Sequence, residues 1–330
     1  MKIIIRNCNV AELDIPLKYA TKLYNEFAIR HPNAFYLRTR QRGMQNWDGK
    51  IKYITKTGQF KIGLLPSVYK RCIELGIKPI IVDMRQPLPK VSKVVTQIGK
   101  YKLRPEQEKA VKAILSNKLG ETPFQIGVLD YTVNAGKTLI MSALYLSYKK
   151  QLKTLLITND SDWLNQARDE FKQYLPGEDI TFVQGKVLNW SNFTIGMVQS
   201  ISRNMKYYQN ELAKIDMVLI DEADQGGSKQ YQNVITRLFN TRVRIGLSGT
   251  IYMSKLAKDK VKNMNLRCFF GDVIAEFKLK DSIKKGYSTK TIVKTVEGKP
   301  WFVIGNQIVC PIMKYMMIPL PIIRLPGPWH

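Results

Sequence analysis

Between residues 126 and 250, short apolar runs alternate with longer stretches in which apolar residues recur at three- and four-residue spacing. The runs at 126–129, 155–158, 180–183, 194–198, 217–220 and 243–247 have strand length, and helical periodicity fills intervals such as 161–174 and 228–239. Strands alternating with helices predict an α/β fold in which crossover helices cover a parallel sheet. No internal repeat interrupts this order.

The first 85 residues follow another pattern, that of a small α+β unit. Met1-Lys2-Ile3-Ile4-Ile5-Arg6 predicts an opening strand, its apolar core being too short for a signal peptide. A helix is expected from Pro16, because Leu17, Ala20, Leu23, Tyr24, Phe27 and Ala28 then recur at helical spacing. Trp47-Asp48-Gly49 signals a turn into 50–54, and Lys56-Thr57-Gly58-Gln59 turns the chain back into 60–62, which predicts a hairpin. Around it Arg38, Arg40, Arg42, Lys50, Lys52, Lys56 and Lys61 mix with Tyr36, Trp47, Tyr53 and Phe60. Such a mixture suits a surface that grips a nucleic-acid backbone, and the same aromatics also suit a small core. Residues 86–100, with Pro87 and Pro89, predict a linker, and the α/β lobe is expected over 101–290.

Composition narrows the class of partner. A chain of 330 residues, 45% of them apolar, has room for two or three domains with real cores. Its formal net charge is +26, and the first 100 residues carry 19 basic against 6 acidic side chains. That balance points to a polyanion, of which nucleic acid is the commonest, although a lysine-rich solvated surface has the same count. Cys8, Cys72, Cys268 and Cys310 are scattered and accompanied only by His31 and His330. This argues against a zinc site or disulfide framework and fits a reducing cytoplasm. The apolar stretch 308–323 is cut by Pro311, Lys314, Pro319 and Pro321, so no membrane span is expected.

Candidate chemistry lies at two places. Tyr131-Thr132-Val133-Asn134-Ala135-Gly136-Lys137-Thr138 follows a strand-like run and precedes a helical one. Asn134, Ala135 and Gly136 supply backbone N–H groups, Lys137 a charge and Thr138 a hydroxyl for Mg²⁺, the set that a nucleoside triphosphate needs. The strict phosphate-loop pattern has glycine where this chain has Tyr131. Asp221-Glu222-Ala223-Asp224 follows the apolar run at 217–220 and offers a second metal contact and a group to orient water.

Arg104-Pro105-Glu106-Gln107, the phosphate loop, Thr158-Asn159, Gln199-Ser200, Asp221-Glu222-Ala223-Asp224 and Ser248-Gly249-Thr250, in this order, resemble the first-lobe motifs of superfamily 2 helicases. Asn46-Trp47-Asp48-Gly49-Lys50-Ile51, followed by Gly63-Leu64-Leu65, resembles the accessory domain of UvsW-type phage recombination helicases, a family in which Asn-Ala-Gly-Lys-Thr is tolerated in the loop. The likeness runs over residues 1 to about 290. It implies a RecA-like lobe preceded by a small DNA-binding α+β domain, with ATP and Mg²⁺ as ligands and duplex or branched DNA as partner. By the same resemblance Lys137 contacts the β- and γ-phosphates, Thr138 and Asp221 hold Mg²⁺, and Glu222 positions water. Arg104 and Gln107 recognise adenine, and Ser248, Gly249 and Thr250 couple the nucleotide to the DNA groove. Thr158, Asn159, Gln199 and Ser200 face the nucleic-acid backbone, although polar residues at strand ends also serve as helix caps. Tyr101 is a further stacking candidate. DNA is expected rather than RNA, since the chain lacks the Pro-Thr-Arg-Glu-Leu and Ser-Ala-Thr motifs of RNA-remodelling DEAD-box proteins.

One part of the family pattern has no counterpart. Superfamily 2 helicases bring arginines of a second lobe, in a Gln-x-x-Gly-Arg-x-x-Arg motif, against the γ-phosphate. After Thr250 this chain contains only Arg267 and Arg324, neither in that context, and from about Lys299 the composition turns Pro-, Met- and Ile-rich. Residues 291–330 are therefore expected to be irregular, with a second lobe truncated, frameshifted or supplied in trans. The leading expectation is the first lobe and DNA-binding domain of a DNA helicase or branched-DNA translocase acting in phage recombination, repair or replication, in a bacterial host's cytoplasm. The alternatives are a non-motor protein that binds DNA and ATP, or an ATPase subunit of a remodelling or restriction complex.

Overall fold

Seven parallel strands form the central sheet, in the order Ile180–Val183, Phe193–Met197, Thr154–Thr158, Met217–Asp221, Val243–Ser248, Ile126–Tyr131 and Val273–Phe277. The computed structural model describes residues 1–289 except 42, 92, 188–189 and 253–256, together with 302–304 and 307–309. Every residue of four of the five inner strands, Thr154–Thr158, Met217–Asp221, Val243–Ser248 and Ile126–Tyr131, is buried. Burial on both faces explains why Thr154–Thr158, Met217–Asp221 and most of Ile126–Tyr131 read as apolar runs rather than as alternation, whereas Val243–Ser248 carries the buried Arg244. Leu129, Leu156, Leu219 and Ile245 join a core with Ile140, Leu144, Leu164 and Phe171, from the helices Lys137–Ser147 and Ser161–Tyr174. Their neighbours Val128, Ile157, Val218 and Ile220 join the opposite core with Ile201, Tyr208, Val234 and Phe270.

All six strands anticipated in this region are present to within two residues of their ends, and the helix Ser161–Tyr174 coincides with its expected interval, whereas the interval 228–239 holds the shorter helix Lys229–Ile235. The seventh strand, Val273–Phe277, pairs with the outer side of Ile126–Tyr131. Its burial is mixed, with Val273 and Glu276 exposed and Ala275 and Phe277 buried, and its apolar run, Val273-Ile274-Ala275, is too short to stand out.

The N-terminal sheet has the order Gln59–Lys61, Val10–Asp14, Lys2–Ile5, Ile80–Asp83, with the helix Leu65–Glu74 carrying the chain to the parallel edge strand. The helix Leu17–Glu26 begins directly after Pro16. The expected hairpin is not formed as such. The Lys50–Lys52 strand pairs with Ala28–Arg30, whereas Gln59–Lys61 pairs with Val10–Asp14. The turn at Thr55–Gly58 is present, closed by Gly58 N–H to the Thr55 carbonyl at 2.9 Å, but only the single bridge Ile54–Phe60 joins its arms. Turn chemistry alone marks where the chain reverses and leaves open which strand receives each arm.

Residues Met1–Tyr287 make one compact unit, because the N-terminal sheet shares a core with the lobe. Ile3, Ile5, Ile62, Leu64 and Leu65 pack in the same cluster as Val218, Ile220 and Phe270. Polar contacts fix the junction. The Arg244 guanidinium is 1% exposed and donates to the Cys8 carbonyl and Asn9 Oδ1 at 2.8 Å each and to the Phe269 carbonyl at 3.3 Å. With no carboxylate beside it, burial pushes its pKa down to about 10. Within residues 288–330 the described part is an antiparallel pair, Phe302–Ile304 with Gln307–Val309; the remainder of the stretch in which an irregular tail was expected, with Cys310 and Arg324, lies outside the described residues.

The tightest point of the junction is Gly63. A Cβ there would lie 2.1 Å from the Arg267 carbonyl oxygen and 2.7 Å from that of Cys268, both backbone atoms that cannot rotate away. Gly63→Ala is therefore expected to cost about 1–3 kcal/mol in urea unfolding and to speed proteolytic cleavage between residues 84 and 96. An unchanged midpoint would show that the two backbones have room to part.

Candidate functional site

The phosphate-loop candidate occupies the carboxyl end of Ile126–Tyr131, between that strand and the helix Lys137–Ser147. Two left-handed residues, Asn134 at φ 64° and Gly136 at φ 72°, curl the loop back on itself. Glycine at 136 answers two needs, since a Cβ would also fall 2.3 Å from Gln107 Nε2. No side chain caps the helix, so its first N–H groups and the positive end of its dipole face the loop's mouth. Tyr131 proves to be the last residue of the strand rather than part of the loop. Its ring is buried, its hydroxyl donates to the Glu106 carbonyl at 2.8 Å, and burial pushes its pKa up to about 12. The departure from the strict pattern therefore falls at a core position.

The acidic motif faces this loop across the sheet. Lys137 Nζ lies 3.3 Å from Asp221 Oδ1 and 3.4 Å from Glu222 Oε1. Asp221 is 2% exposed, and its Oδ1, despite that ion pair, has no well-formed hydrogen bond. Burial raises the pKa of its carboxyl, with Lys137 opposing. Glu222 is raised for the same reason and sits at φ 52°, a left-handed conformation that costs a non-glycine residue about 1–3 kcal/mol. Asp224 accepts from the Ser248 hydroxyl at 3.0 Å, and Ser248 Oγ accepts from the Thr250 N–H at 3.2 Å. A Cβ on Gly249 would come within 3.2 Å of Thr132 Cα, so the Ser248–Thr250 turn lies against the start of the loop. The buried Thr138 hydroxyl and the orphaned Asp221 oxygen are hard donors, a set that suits Mg²⁺.

Arg104 and Gln107 reach the loop from behind. The Gln107 carboxamide is buried, accepting from the Arg104 N–H at 2.8 Å and donating to the Ala135 carbonyl at 2.8 Å. Both its ends are engaged within the chain, which makes it a strut of the loop in this geometry. The Arg104 guanidinium stands 4.4 Å over the Tyr287 ring, with Nη2 3.4 Å from the Asn134 carbonyl. Tyr287 was not among the expected site residues; it follows the helix Leu279–Lys284, which Lys285–Glu106 at 2.8 Å and Lys278–Asp130 tie to the lobe. Nothing local in its sequence marks it. Tyr101 packs edge-on against Tyr174 at 5.1 Å, with its hydroxyl on Gln173.

The expected nucleic-acid contacts fall into two groups. Thr158–Asn159 and Gln199–Ser200 come together at the carboxyl ends of neighbouring strands, where Gln199 Nε2 donates to the Asn159 carbonyl at 3.2 Å. Thr158 is buried and accepts from the Asp160 N–H at 3.2 Å, while the Ser200 carbonyl accepts from Asn204 at 2.9 Å. In the N-terminal unit the helix Ala34–Arg40 presents Arg38 and Arg40 to solvent beside Phe35 and Tyr36, which are 80% and 56% exposed. Lys50 is also exposed. Lys52 is half-buried, 3.2 Å from Asp48 and 4.6 Å from the centre of the Tyr24 ring, and Phe60 belongs to the core. Arg42 lies outside the described residues.

The chain is similar to known proteins in sequence and in fold. Residues 100–253 match the family model described as type III restriction enzyme, res subunit. The ATP-dependent DNA helicase UvsW of Enterobacteria phage T4 is 23% identical over 272 residues, which cover 76% of this chain and 51% of that protein. A protein of Acanthamoeba polyphaga mimivirus that carries the name of an ATP-dependent RNA helicase is 26% identical over 147 residues, covering 44% of this chain and 27% of its own length. The chain thus spans about half or less of the curated relatives it matches. In fold, a crystal structure of T4 UvsW helicase superposes with a TM-score of 0.64 at 20% identity, covering 83% of this chain and 100% of that one. Residues 100–253 thus match the ResIII family model, and the chain is similar in sequence to the UvsW helicase of phage T4 over about half of that protein and shares the fold of its structure.

Proposed function

We propose that this chain is the ATP-binding lobe and DNA-binding domain of an ATP-dependent DNA helicase or branched-DNA translocase, working in the cytoplasm. The observation that carries this reading is Lys137, held between Asp221 and Glu222 at the head of an uncapped helix. A triphosphate at the loop would meet the N–H groups of residues 134–138 and take over Lys137 from the two carboxylates. Thr138 and Asp221 would hold Mg²⁺, which neutralises charge on the phosphates, and Glu222 would orient the attacking water. The hydrogen bonds that join Asp224, Ser248 and Thr250 then offer a path from the nucleotide to the strand ends where Asn159, Gln199 and Ser200 gather. No described helix is long and apolar enough to cross a membrane.

DNA is the proposed partner because the exposed charge of the N-terminal unit is basic and lies among exposed aromatics. Arg38, Arg40 and Lys50 would take phosphates, with Phe35 and Tyr36 available to stack on unpaired bases. The match to a restriction-enzyme subunit keeps the restriction ATPase reading in view, but that match begins at residue 100 and leaves the N-terminal unit unexplained. The 1–85 and 101–290 divisions, joined by 86–100, are proposed as the DNA-binding and motor parts.

Lys137→Ala is expected to abolish the ATP-dependent rise in melting temperature while leaving the far-UV circular dichroism unchanged; a persisting shift would place the nucleotide elsewhere. Arg38→Glu with Arg40→Glu should weaken binding of duplex and branched DNA alike and reduce the slope of log affinity against log salt by about two. An unaltered slope would remove this helix from the interface. In the 330-residue chain on its own, hydrolysis should be slow and little stimulated by DNA, because γ-phosphate arginines are worth about 10³–10⁵ in rate. Supplying a second lobe from a UvsW-type relative in trans should raise it, and brisk DNA-stimulated turnover without that lobe would contradict the assignment.

A further inference from the structure

The amino ends of the lobe's strands, the face opposite the nucleotide loop, hold a second concentration of charge. Arg242 immediately precedes the strand Val243–Ser248, and Arg85 follows the edge strand Ile80–Asp83 of the N-terminal sheet. The two share one carboxylate: Asp83 accepts from Arg85 Nε and Nη2 at 2.8 Å each and lies 3.3 Å from Arg242 Nη2. Both side chains are deeply buried, Arg85 at 2% exposed and Arg242 at 9%. Arg85 Nη1, Arg242 Nε and Gln125 Oε1 nevertheless have no hydrogen-bond partner. The buried Cys8 thiol beside them is no counter-anion, because burial raises its pKa against the pull of Arg85, Arg244 and Arg242. A buried guanidinium left without its share of an anion is costly, and a protein retains such an arrangement at a price in stability.

These groups line a cavity of about 620 Å³ whose other walls include Pro87, Leu88 and Tyr148. Its size is that of a small-molecule site, and its mixture of apolar walls with a few convergent polar groups is typical of one. Lys90 lines the mouth from an exposed position. Glu121 also lines it, and its carboxylate is already 3.3 Å from Lys118. Arg85, Arg242 and Lys90 against Asp83 leave two positive charges unmatched. We propose that this cavity binds a small phosphate monoester with an apolar body, the dianionic head on Arg85 and Arg242 and the body against Pro87, Leu88 and Tyr148. A carboxylate would satisfy only one of the two charges, and arginine forks match phosphate oxygens in geometry as well as charge.

Phenyl phosphate is a suitable probe, with phenol as its uncharged counterpart, each titrated by calorimetry into the full chain. Phenyl phosphate should bind one to one with phenol silent, and Lys137→Ala should retain that binding, which separates this cavity from the nucleotide loop. Arg242→Met should lower affinity by about tenfold or more, and Lys90→Ala, a rim substitution that leaves the fold untouched, by about two- to fivefold. Should Arg242→Met fail to fold, the Lys90→Ala comparison decides. Absence of binding at millimolar phenyl phosphate overturns the proposal, as does binding lost in Lys137→Ala and unaffected by Lys90→Ala.

Discussion

Burial of the inner strands on both faces is the constraint from which the rest of the molecule follows. A strand whose every residue is covered shows no face to solvent, and a charge within it, such as Arg244, must find its acceptors inside the fold, so groups that meet a ligand are placed where strands stop. At the carboxyl ends this yields the loop before Lys137, the acidic run from Asp221 and the Ser248–Thr250 turn, each emerging from its own strand onto one edge. At the amino ends it yields Gln125 and Arg242, each one residue before its strand begins. The adjacency of Met217–Asp221, Val243–Ser248 and Ile126–Tyr131 in the sheet then does the positioning. Residues 84 positions apart, Lys137 and Asp221, meet at 3.3 Å without any long excursion of the chain.

The same constraint decides how much could be read from the sequence. Apolar runs bounded by turn residues mark fully buried strands well, and the lobe was legible for that reason. Val273–Phe277 was not, because Glu276 ends its apolar run after three residues and the segment then resembles a connection. The N-terminal ladder was misread where two short strands, Lys50–Lys52 and Gln59–Lys61, follow one turn yet pair with different partners. Pairing there is settled by contacts with residues 28–30 and 10–12, far from the turn that suggested the hairpin.

Among the candidate site residues, spacing found groups that gather at strand ends and gave no sign of what each side chain contacts there. Gln107 illustrates the limit. The sequence placed it with Arg104 as an adenine contact, but that both ends of its amide are committed, to the Arg104 N–H and the Ala135 carbonyl, depends on how the helix Pro105–Leu115 lies against the loop. Charge behaves likewise. Lysines counted as free cations turn out to be spent inside the molecule, Lys52 on Asp48, Lys278 on Asp130 and Lys285 on Glu106. The basic groups of the N-terminal unit that stand in solvent beside exposed aromatics are fewer than composition suggested.

Arg244 has a consequence for how this molecule can be divided. Its acceptors include one carbonyl and one carboxamide oxygen contributed by residues 8 and 9, and the apolar layer of Ile3, Ile5, Leu64 and Leu65 shares its core with Val218, Ile220 and Phe270 of the lobe. A recombinant lobe beginning at residue 100 would expose that apolar layer's partner surface to water and leave a guanidinium bereft of two of its three acceptors. Swapping the N-terminal unit between relatives should succeed only where the donor brings its own acceptors for this arginine.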